Sequence, residues 1–455
     1  MAAVSEASLT GRPGGVPWRA AERCMIVGGV TGGHLEAVAL SHKPLLQLDR
    51  MLSSALAYAP GGWARFADDA ARWAPSSALE KRLRLRLGYK GPLLFFERLE
   101  ALAHAALPPG AERPCALLAA GASGEWADEA LGAVSPGGPA FARQLDFPHG
   151  LGPLWKAFGW YLGLRDAWSE VPALAAAGSP RFAGAISERL LDLKRDGSFR
   201  LDMGYFAFCA GLEPVNARFG ALFGGGPRRA GEAPGAREAD VAASLQAVTV
   251  EVLRRMAAEA RRQAGAEDLC LVGAASLNAA AVAALRADGP GQLYLASPPA
   301  PVAAAVGAAA AAWSRALQRG RPELSPSAWF LPVEEAAAVD AFELERPALR
   351  LLGFGAAAAA LLLLVAGHPP PWIAGFELGL ALVCALGAWR APETLGELAV
   401  AAGLACAYFL ALTPYSLVAR TLGSEFLEER WRAAGTYWKD RRPEGEGLRA
   451  LRRPF

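Results

Sequence analysis

Residues 196–203 read Asp-Gly-Ser-Phe-Arg-Leu-Asp-Met, and this stretch of the 455-residue chain says most about its fold. An aromatic segment follows it and contains Phe206, Phe208, Phe219 and Phe223. We expect these rings to pack inside one lobe of a folded domain, because aromatic side chains bury large apolar areas. The stretch therefore belongs to a globular domain with a substantial core.

Around this stretch, from about residue 24 to residue 313, short apolar runs alternate with helical patterns. The runs at 115–120, 269–272 and 292–295 have the length and composition of buried strands. The patterns at 151–164 and 240–264 place apolar residues at helical spacing. The alternation predicts an α/β domain. In the second helix, the face expected to be exposed carries Glu251, Arg254, Arg255 and Glu259.

The composition changes towards the C-terminus. Hydrophobic residues make up 53% of the chain and charged residues 20%, which is more apolar than an ordinary soluble protein and excludes disorder as the main state. A polar connector at 314–347 leads into three apolar runs, at about 348–367, 372–389 and 398–418. Each run is close to the ~20 residues needed to cross a bilayer.

We expect two or three membrane spans, with a buried helical hairpin of a soluble domain as the alternative. The third run contains Pro414 and could instead form an interfacial helix. The tail at 419–455 is amphipathic and basic, which places it in the cytoplasm. Residues 1–22 lack the apolar centre of a signal peptide. These features predict a protein of the inner membrane with a cytoplasmic N-terminal domain.

Charge and residue counts argue against several kinds of site. Lys and Arg number 46 against 44 Asp and Glu, a net charge of +2, so nucleic acid is not an expected partner. Six scattered cysteines without a CxxC pair argue against a disulfide framework or a zinc site. There are only five histidines, and no two lie three or four residues apart. The chain therefore offers no pair of imidazoles on one helical turn.

Several motifs resemble the carbamoyltransferase family of antibiotic and nodulation-factor biosynthesis. Residues 196–203 are similar to the family's DGSFRLNM, and Phe147–Gly152 (FPHGLG) is similar to its FPHSLG. Lys43–Leu46 (KPLL) and Gly124–Trp126 (GEW) also match, in the family's order. The resemblance covers roughly residues 17–313.

This resemblance implies an actin/hexokinase-like (ASKHA) ATPase-type fold for residues 17–313. Family members transfer a carbamoyl group from carbamoyl phosphate, through a carbamoyl-adenylate made with ATP, and they use a metal ion. The family's opening strand hairpin, which carries a phosphate loop, has no counterpart in this sequence. The connector leads into the apolar runs where the family places a YrdC-like adenylating domain.

The family's metal ligands are replaced at the matching positions. Its two histidines, four residues apart, correspond to Arg98 and Leu102, and its two aspartates to Gly121 and Pro301. An arginine stays protonated and cannot bind a metal ion. His104 lies two residues beyond the second position, on another face of the helix. We therefore expect no metal ion or other cofactor, and no catalytic residue is assigned.

Candidates for nucleotide or substrate binding are Gly124, Glu125, His149, Gly273, Leu277 and Asn278. Each also has a structural interpretation. Gly273–Asn278 matches the family's phosphate-facing GGVALN loop, but an alanine replaces one glycine, so a strand-to-helix turn is the alternative. His149 could fill a turn or capping role, and Glu125 could cap the segment that follows it. Glu170 stands where another family segment has a lysine, which reverses the charge.

Residues 340–455 resemble the SxtJ-like membrane proteins of saxitoxin-type operons, through Thr413–Arg420 and Thr436–Lys439. That resemblance implies a membrane location and no chemistry. The sequence thus predicts a membrane-anchored, carbamoyltransferase-like protein of secondary-metabolite or surface-glycan biosynthesis, degenerate at its metal and phosphate sites. The alternative is a pseudoenzyme, a non-catalytic membrane scaffold or regulatory partner for an intact carbamoyltransferase. The residue chemistry favours this alternative.

Overall fold

The computed structural model describes residues 17–319 with short gaps, residues 401–441, and the isolated residues 3, 6, 451 and 452. The gaps are residues 78, 107–113, 123, 136, 230 and 296–299. The predicted spans at about 348–367 and 372–389, and most of the connector, lie outside the described residues.

Helices surround the strands throughout the described part of the chain. In chain order the helices are α1 (Trp18–Gly28), α2 (Pro44–Tyr58), α3 (Trp63–Ser77), α4 (Leu79–Leu87), α5 (Arg98–Ala105), α6 (Leu151–Tyr161), α7 (Ala167–Ala175), α8 (Ala183–Ala185), α9 (Ala217–Leu222), α10 (Ala236–Ala264), α11 (Ala279–Asp288), α12 (Ala300–Ala311) and α13 (Ala401–Thr421). The strands are β1 (Val38–Leu40), β2 (Leu93–Phe95), β3 (Cys115–Ala119), β4 (Ala127–Ser135), β5 (Gly138–Asp146), β6 (Leu191–Leu193), β7 (Phe199–Leu201), β8 (Leu269–Val272), β9 (Leu293–Leu295) and β10 (Lys439–Asp440).

The central sheet has the strand order β10-β5-β4-β3-β8-β9. Strands β3, β4 and β5 form an antiparallel meander, and β8 and β9 continue the sheet in parallel beyond β3. The three predicted strands are confirmed to within one residue as β3, β8 and β9. The predicted α/β class is confirmed by this mixed sheet and its helices.

Side chains of β3 alternate between two apolar layers. Ala116 and Leu118 belong to the larger core with residues of α6 and α10. Leu117 and Ala119 belong to a second core with residues of α5 and α12. All four are fully buried, as expected for a strand that helices cover on both faces.

The long helix α10 supports the larger core over its whole length. It begins at Ala236, earlier than predicted, because the Glu238 carboxylate accepts a hydrogen bond from the backbone N–H of Gly235. It ends at Gly265, whose φ of +60° is the left-handed cap that glycine favours. The predicted exposure of Glu259 is wrong: only 8% is exposed, because its carboxylate packs against the helix and pairs with Arg262.

The other predicted helix, at 151–164, is observed as α6 and is shorter. It stops at Tyr161, and Gly163 takes a φ of +64°. The aromatic lobe is confirmed, since all four predicted phenylalanines belong to the larger core. The rings of Phe158 and Phe219 pack edge to face at 4.9 Å, and those of Phe219 and Phe223 at 5.1 Å.

Helix α13 corresponds to the third predicted run. In the part of the chain that the structure describes, it is the one helix long and apolar enough to cross a membrane, and 22% of its most apolar window is buried. It packs on α2 and α3, where Tyr408 lies between the rings of Trp63 and Phe66. Exposed Leu410 and Val418 lie on its outer side.

The chain after α13 returns to the sheet. Residues 425–441, which we call the docking segment, end in β10, whose two residues pair with Gln144 and Arg143 of the edge strand β5. Leu427, Tyr437 and Trp438 of this segment are at most 7% exposed and join the larger core. Part of the predicted tail at 419–455 is therefore packed against the α/β domain.

Candidate functional site

Three of the motifs noted in the sequence meet in one place, which we call the motif cleft. Its domain walls are Trp126, Phe147, His149, Phe199 and Arg200. The docking segment forms the opposite wall, and the remaining cavity between them measures about 280 Å³. The cleft is therefore where residues far apart in the sequence could act together.

His149 is fixed by hydrogen bonds at both ring nitrogens. Nδ1 accepts a hydrogen bond from the backbone N–H of Leu201 at 3.1 Å. Nε2 therefore carries the proton and donates it to the backbone carbonyl of Glu428 in the docking segment. Burial lowers the pKa of His149 to about 4, so the ring is neutral near pH 7. Neither nitrogen is left to act on a ligand in this arrangement.

Arg200, which the sequence analysis did not select, is the second anchor of the cleft. Its side chain is buried, and it donates to the backbone carbonyl of Arg430 at 2.6 Å and to the Glu428 carboxylate. The guanidinium carbon also lies 4.7 Å from the ring centre of Tyr437. All these partners belong to the docking segment, which is far from Arg200 in the sequence. The position of Arg200 within residues 196–203 was therefore the only feature of the sequence that could have marked it as a site residue.

The docking segment makes further polar contacts with the cleft. Lys439 bridges Asp146 at 3.0 Å and Glu428 at 2.7 Å. The backbone N–H of Tyr437 donates to the Ser198 hydroxyl at 2.8 Å. These charge-assisted and backbone contacts hold the segment in register with the edge strand.

Gly124 and Glu125 are placed beside the cleft by structural contacts. The Glu125 carboxylate accepts hydrogen bonds from the backbone N–H groups of Lys43 at 2.8 Å and Arg98 at 3.2 Å, where α2 and α5 begin. Burial raises the pKa of Glu125. A Cβ on Gly124 would lie 2.3 Å from the carbonyl oxygen of Ala127, so close packing requires glycine there.

The predicted phosphate loop forms a strand-to-helix turn after β8. Gly273 has a φ of +93° and packs against the chain at Ala120. Asn278 caps α11 by accepting a hydrogen bond from the N–H of Ala281, and it exchanges amide hydrogen bonds with Gln246. Leu277 is 55% exposed. The loop lies beside the turn after β3. The Asn278 side chain, however, already forms hydrogen bonds with Ala281 and Gln246.

The positions that match the family's metal ligands offer no donor set. The Nε–H of Arg98 donates a hydrogen bond to the carbonyl of Ala122 at 3.0 Å, and Leu102 is 1% exposed. Gly121 has a φ of +62°, and a Cβ there would lie 2.6 Å from the ring of Trp168. Pro301 lies at the start of α12. Among the residues that the structure describes, no three His, Cys, Asp or Glu side chains are grouped as a metal site would require.

His104 is buried in α5, and its Nδ1 lies 2.9 Å from the carbonyl of Glu100 one turn earlier. It contributes to helix packing and lies apart from the motif cleft. The residues present at these positions therefore do not fit the family's metal ion, and they support no chemical step through such an ion.

Two buried carboxylates at the start of α6 were missed by the sequence analysis. Glu129 is fully buried and accepts hydrogen bonds from the N–H groups of Leu151 and Gly121. Asp128 accepts from the N–H of Gly152. Burial, and then the charge of Asp128, raise the pKa of Glu129 well above its usual value. The pair caps the first turn of the helix and ties it to β4.

The geometry thus defines an α/β domain with a cleft between three sequence motifs, and residues of the docking segment line its opposite wall. The family described as carbamoyltransferase N-terminus matches residues 79–310, which is half of the chain, and the chain belongs to that family. A relative from Synechocystis sp. (strain ATCC 27184 / PCC 6803 / Kazusa), described as uncharacterized protein sll1178, is 34% identical over 270 residues. The match covers 56% of this chain and 44% of that relative's length.

Proposed function

We propose that this chain is a membrane-anchored, carbamoyltransferase-like scaffold of secondary-metabolite or surface-glycan biosynthesis, and that its α/β domain is not catalytic. The observation that carries the proposal is the engagement of His149 and Arg200 by the chain's own docking segment. His149 uses Nε2 and Arg200 uses its guanidinium on residues 428–430. A substrate that bound these atoms would have to displace that segment.

The energetics of the cleft support a permanent contact. Each charge-assisted hydrogen bond of a buried group contributes about 1.5–3 kcal/mol. Arg200 makes such a bond with Glu428 across the contact. Lys439 pairs with Asp146 across the contact, but it is 37% exposed, so solvent screening makes this contribution smaller. Tyr437 and Trp438 add two large buried side chains, so release of the segment costs several favourable contacts at once.

The chemistry at the metal and phosphate positions supports the same proposal. A carboxylate or an imidazole is needed to bind a divalent ion, and Arg98, Leu102 and Gly121 supply neither. The antiparallel meander that continues into two parallel strands supports the actin/hexokinase-like assignment. On that fold, the domain would keep its architecture while its former catalytic positions serve packing.

The proposal places the chain at the inner membrane with the α/β domain in the cytoplasm. Helix α13 supports membrane association through its apolar composition and its exposed outer side, while its other side packs on α2 and α3. The docking segment directly follows it and is bound to the sheet, so the domain would be held close to the membrane surface. The expected partner is an intact carbamoyltransferase or another protein of the same biosynthetic route. It would bind the surface of the α/β domain.

A residual enzyme is the second candidate, because family membership is accompanied by the cavity of about 280 Å³ beside His149. In that case the docking segment would act as a cover that leaves when substrate enters. ATP, carbamoyl phosphate and a hydroxyl acceptor would be the substrates to test.

The two candidates are separated by assaying the purified full chain, in detergent, with ATP, carbamoyl phosphate and a panel of hydroxyl acceptors. An intact carbamoyltransferase, assayed in parallel with and without added iron or zinc, is the control. We expect no turnover and no stoichiometric metal, and we expect co-purification with a carbamoyltransferase from the native host. One tightly bound ion per chain together with carbamoyl transfer would refute the scaffold proposal.

A further inference from the structure

A second cavity, of about 210 Å³, lies between α2, α3 and α6. Four cationic side chains line it, Arg50, Arg65, Arg72 and Lys156, against one carboxylate, Asp69. We call this cavity the basic pocket. It is distinct from the motif cleft, with which it shares only the wall residue Phe147.

The cations of the basic pocket converge from three helices. Arg65, Asp69 and Arg72 follow one another at intervals of four and three residues on α3, so they share a face. Arg50 comes from α2 and Lys156 from α6. Helix periodicity explains why residues of one helix share a face, but it does not explain why three separate helices each place a cation at the same pocket.

Contacts within the protein neutralise only part of this charge. Arg65 pairs with Asp69 at 2.8 Å, and Arg72 pairs with Asp68 at 2.7 Å. Arg50 donates to the carbonyl of Gly124 and lies over the ring of Phe147, and neither contact cancels its charge. The nearby carboxylates of Asp69, Glu125 and Asp128 offset that charge only in part, since the pKa of Arg50 is still lowered. Lys156 forms no ion pair with any residue in the described part of the chain.

The uncompensated charge is unfavourable in the absence of an anion. Partial burial against the pocket walls, followed by the charges of Arg65 and Arg72, lowers the pKa of Lys156. Burial likewise lowers the pKa of Arg50. An anion with several acceptor oxygens would reverse this repulsion and bind both the guanidinium and ammonium groups.

We propose that the basic pocket binds a phosphate group, either inorganic phosphate or the phosphate of a small soluble monoester. The volume is below the roughly 300–1,000 Å³ of pockets for larger organic ligands, which limits the ligand to a phosphate and a small attached group. Phe147 and Phe208 give that attached group apolar walls. This site is independent of the scaffold function proposed for the motif cleft.

The test is equilibrium dialysis of the full chain, in detergent, with labelled inorganic phosphate at constant ionic strength maintained by chloride. Wild-type protein should bind one phosphate per chain saturably. Lys156→Met should weaken binding about tenfold or more, as the loss of a charge-assisted hydrogen bond predicts. Lys156→Arg, which keeps the charge, should stay within a few-fold of wild type. The Lys156 side chain reaches solvent at the edge of the pocket, so we expect both variants to fold.

Lys81→Met is the matched control, because it removes an exposed lysine from another helix, α4. It should leave phosphate binding unchanged. The proposal is overturned if wild-type protein shows no saturable phosphate binding in the presence of chloride. It is overturned equally if Lys156→Met binds as wild type does, or if Lys81→Met weakens binding as much as Lys156→Met.

Discussion

At the scale of single residues, His149 lies in a family motif and is held by both the domain and the docking segment. The histidine of FPHGLG was a candidate for substrate binding, with a turn or capping role as the alternative. In the structure its ring joins β7 to the docking segment through Leu201 and Glu428. The side chain that the sequence could not select, Arg200, engages the same segment, because its importance depends on residues 228 to 230 positions away.

The buried neutral state of His149 predicts a pH dependence of stability. The folded-state pKa is about 4, against an ordinary 6.5, so between these values the unfolded chain takes up a proton that the folded chain does not. Stability is therefore complete above pH 6.5 and declines as the pH falls towards 4, by on the order of 3 kcal/mol from this residue.

His149→Gln should remove that part of the decline. The measurement is the free energy of unfolding in guanidinium, by tryptophan fluorescence, at pH values from 7.5 to 4.5. The exposed His34→Gln variant is the control for loss of a histidine. If the difference between wild type and His149→Gln is independent of pH, the buried neutral histidine is not the correct description.

At the scale of elements, the fold depends on how closely helices approach the sheet and one another. Strands β3 and β8 are fully buried and were predictable because such strands are short, apolar and bounded by polar turns. Strand β9 is half-buried and was predictable from its similar length and composition. The start of α10 was harder to place, because it depends on one side-chain cap at Gly235. The exposure of Glu259 was misjudged because helical periodicity does not reveal which neighbours cover a charged side chain.

The contact between α5 and α12 predicts a sharp effect of one methyl group. A Cβ on Gly307 would lie 1.6 Å from the carbonyl oxygen of Ala101, so Gly307→Ala must push the helices apart. We expect the free energy of unfolding to fall by about 1–3 kcal/mol or more. Chemical denaturation of the full chain measures it.

Gly184→Ala in α8 is the matched control for that substitution. No atom lies within 4 Å of the Cβ that it would add, so it should be neutral or stabilise the chain by up to ~1 kcal/mol. Equal effects of the two substitutions would contradict the close helix contact.

At the scale of the whole molecule, composition and motif order predicted an α/β domain followed by apolar C-terminal runs. The family and the α/β class are confirmed, and α13 supplies one candidate span. The docking of residues 425–441 was not predictable, since their basic and aromatic pattern is equally typical of a membrane-surface tail. Only the folded domain shows the edge strand and the buried arginine that receive them.

The central claim is that the docking segment stays bound to His149 and Arg200 of the motif cleft. Hydrogen–deuterium exchange of the full chain tests it most directly, at residues 425–441, with and without ATP and carbamoyl phosphate. Arg200→Met provides the reference for a released segment. We predict slow exchange in wild type that the two substrates leave unchanged. Rapid exchange in wild type, or deprotection of the segment when the substrates are added, would contradict the account.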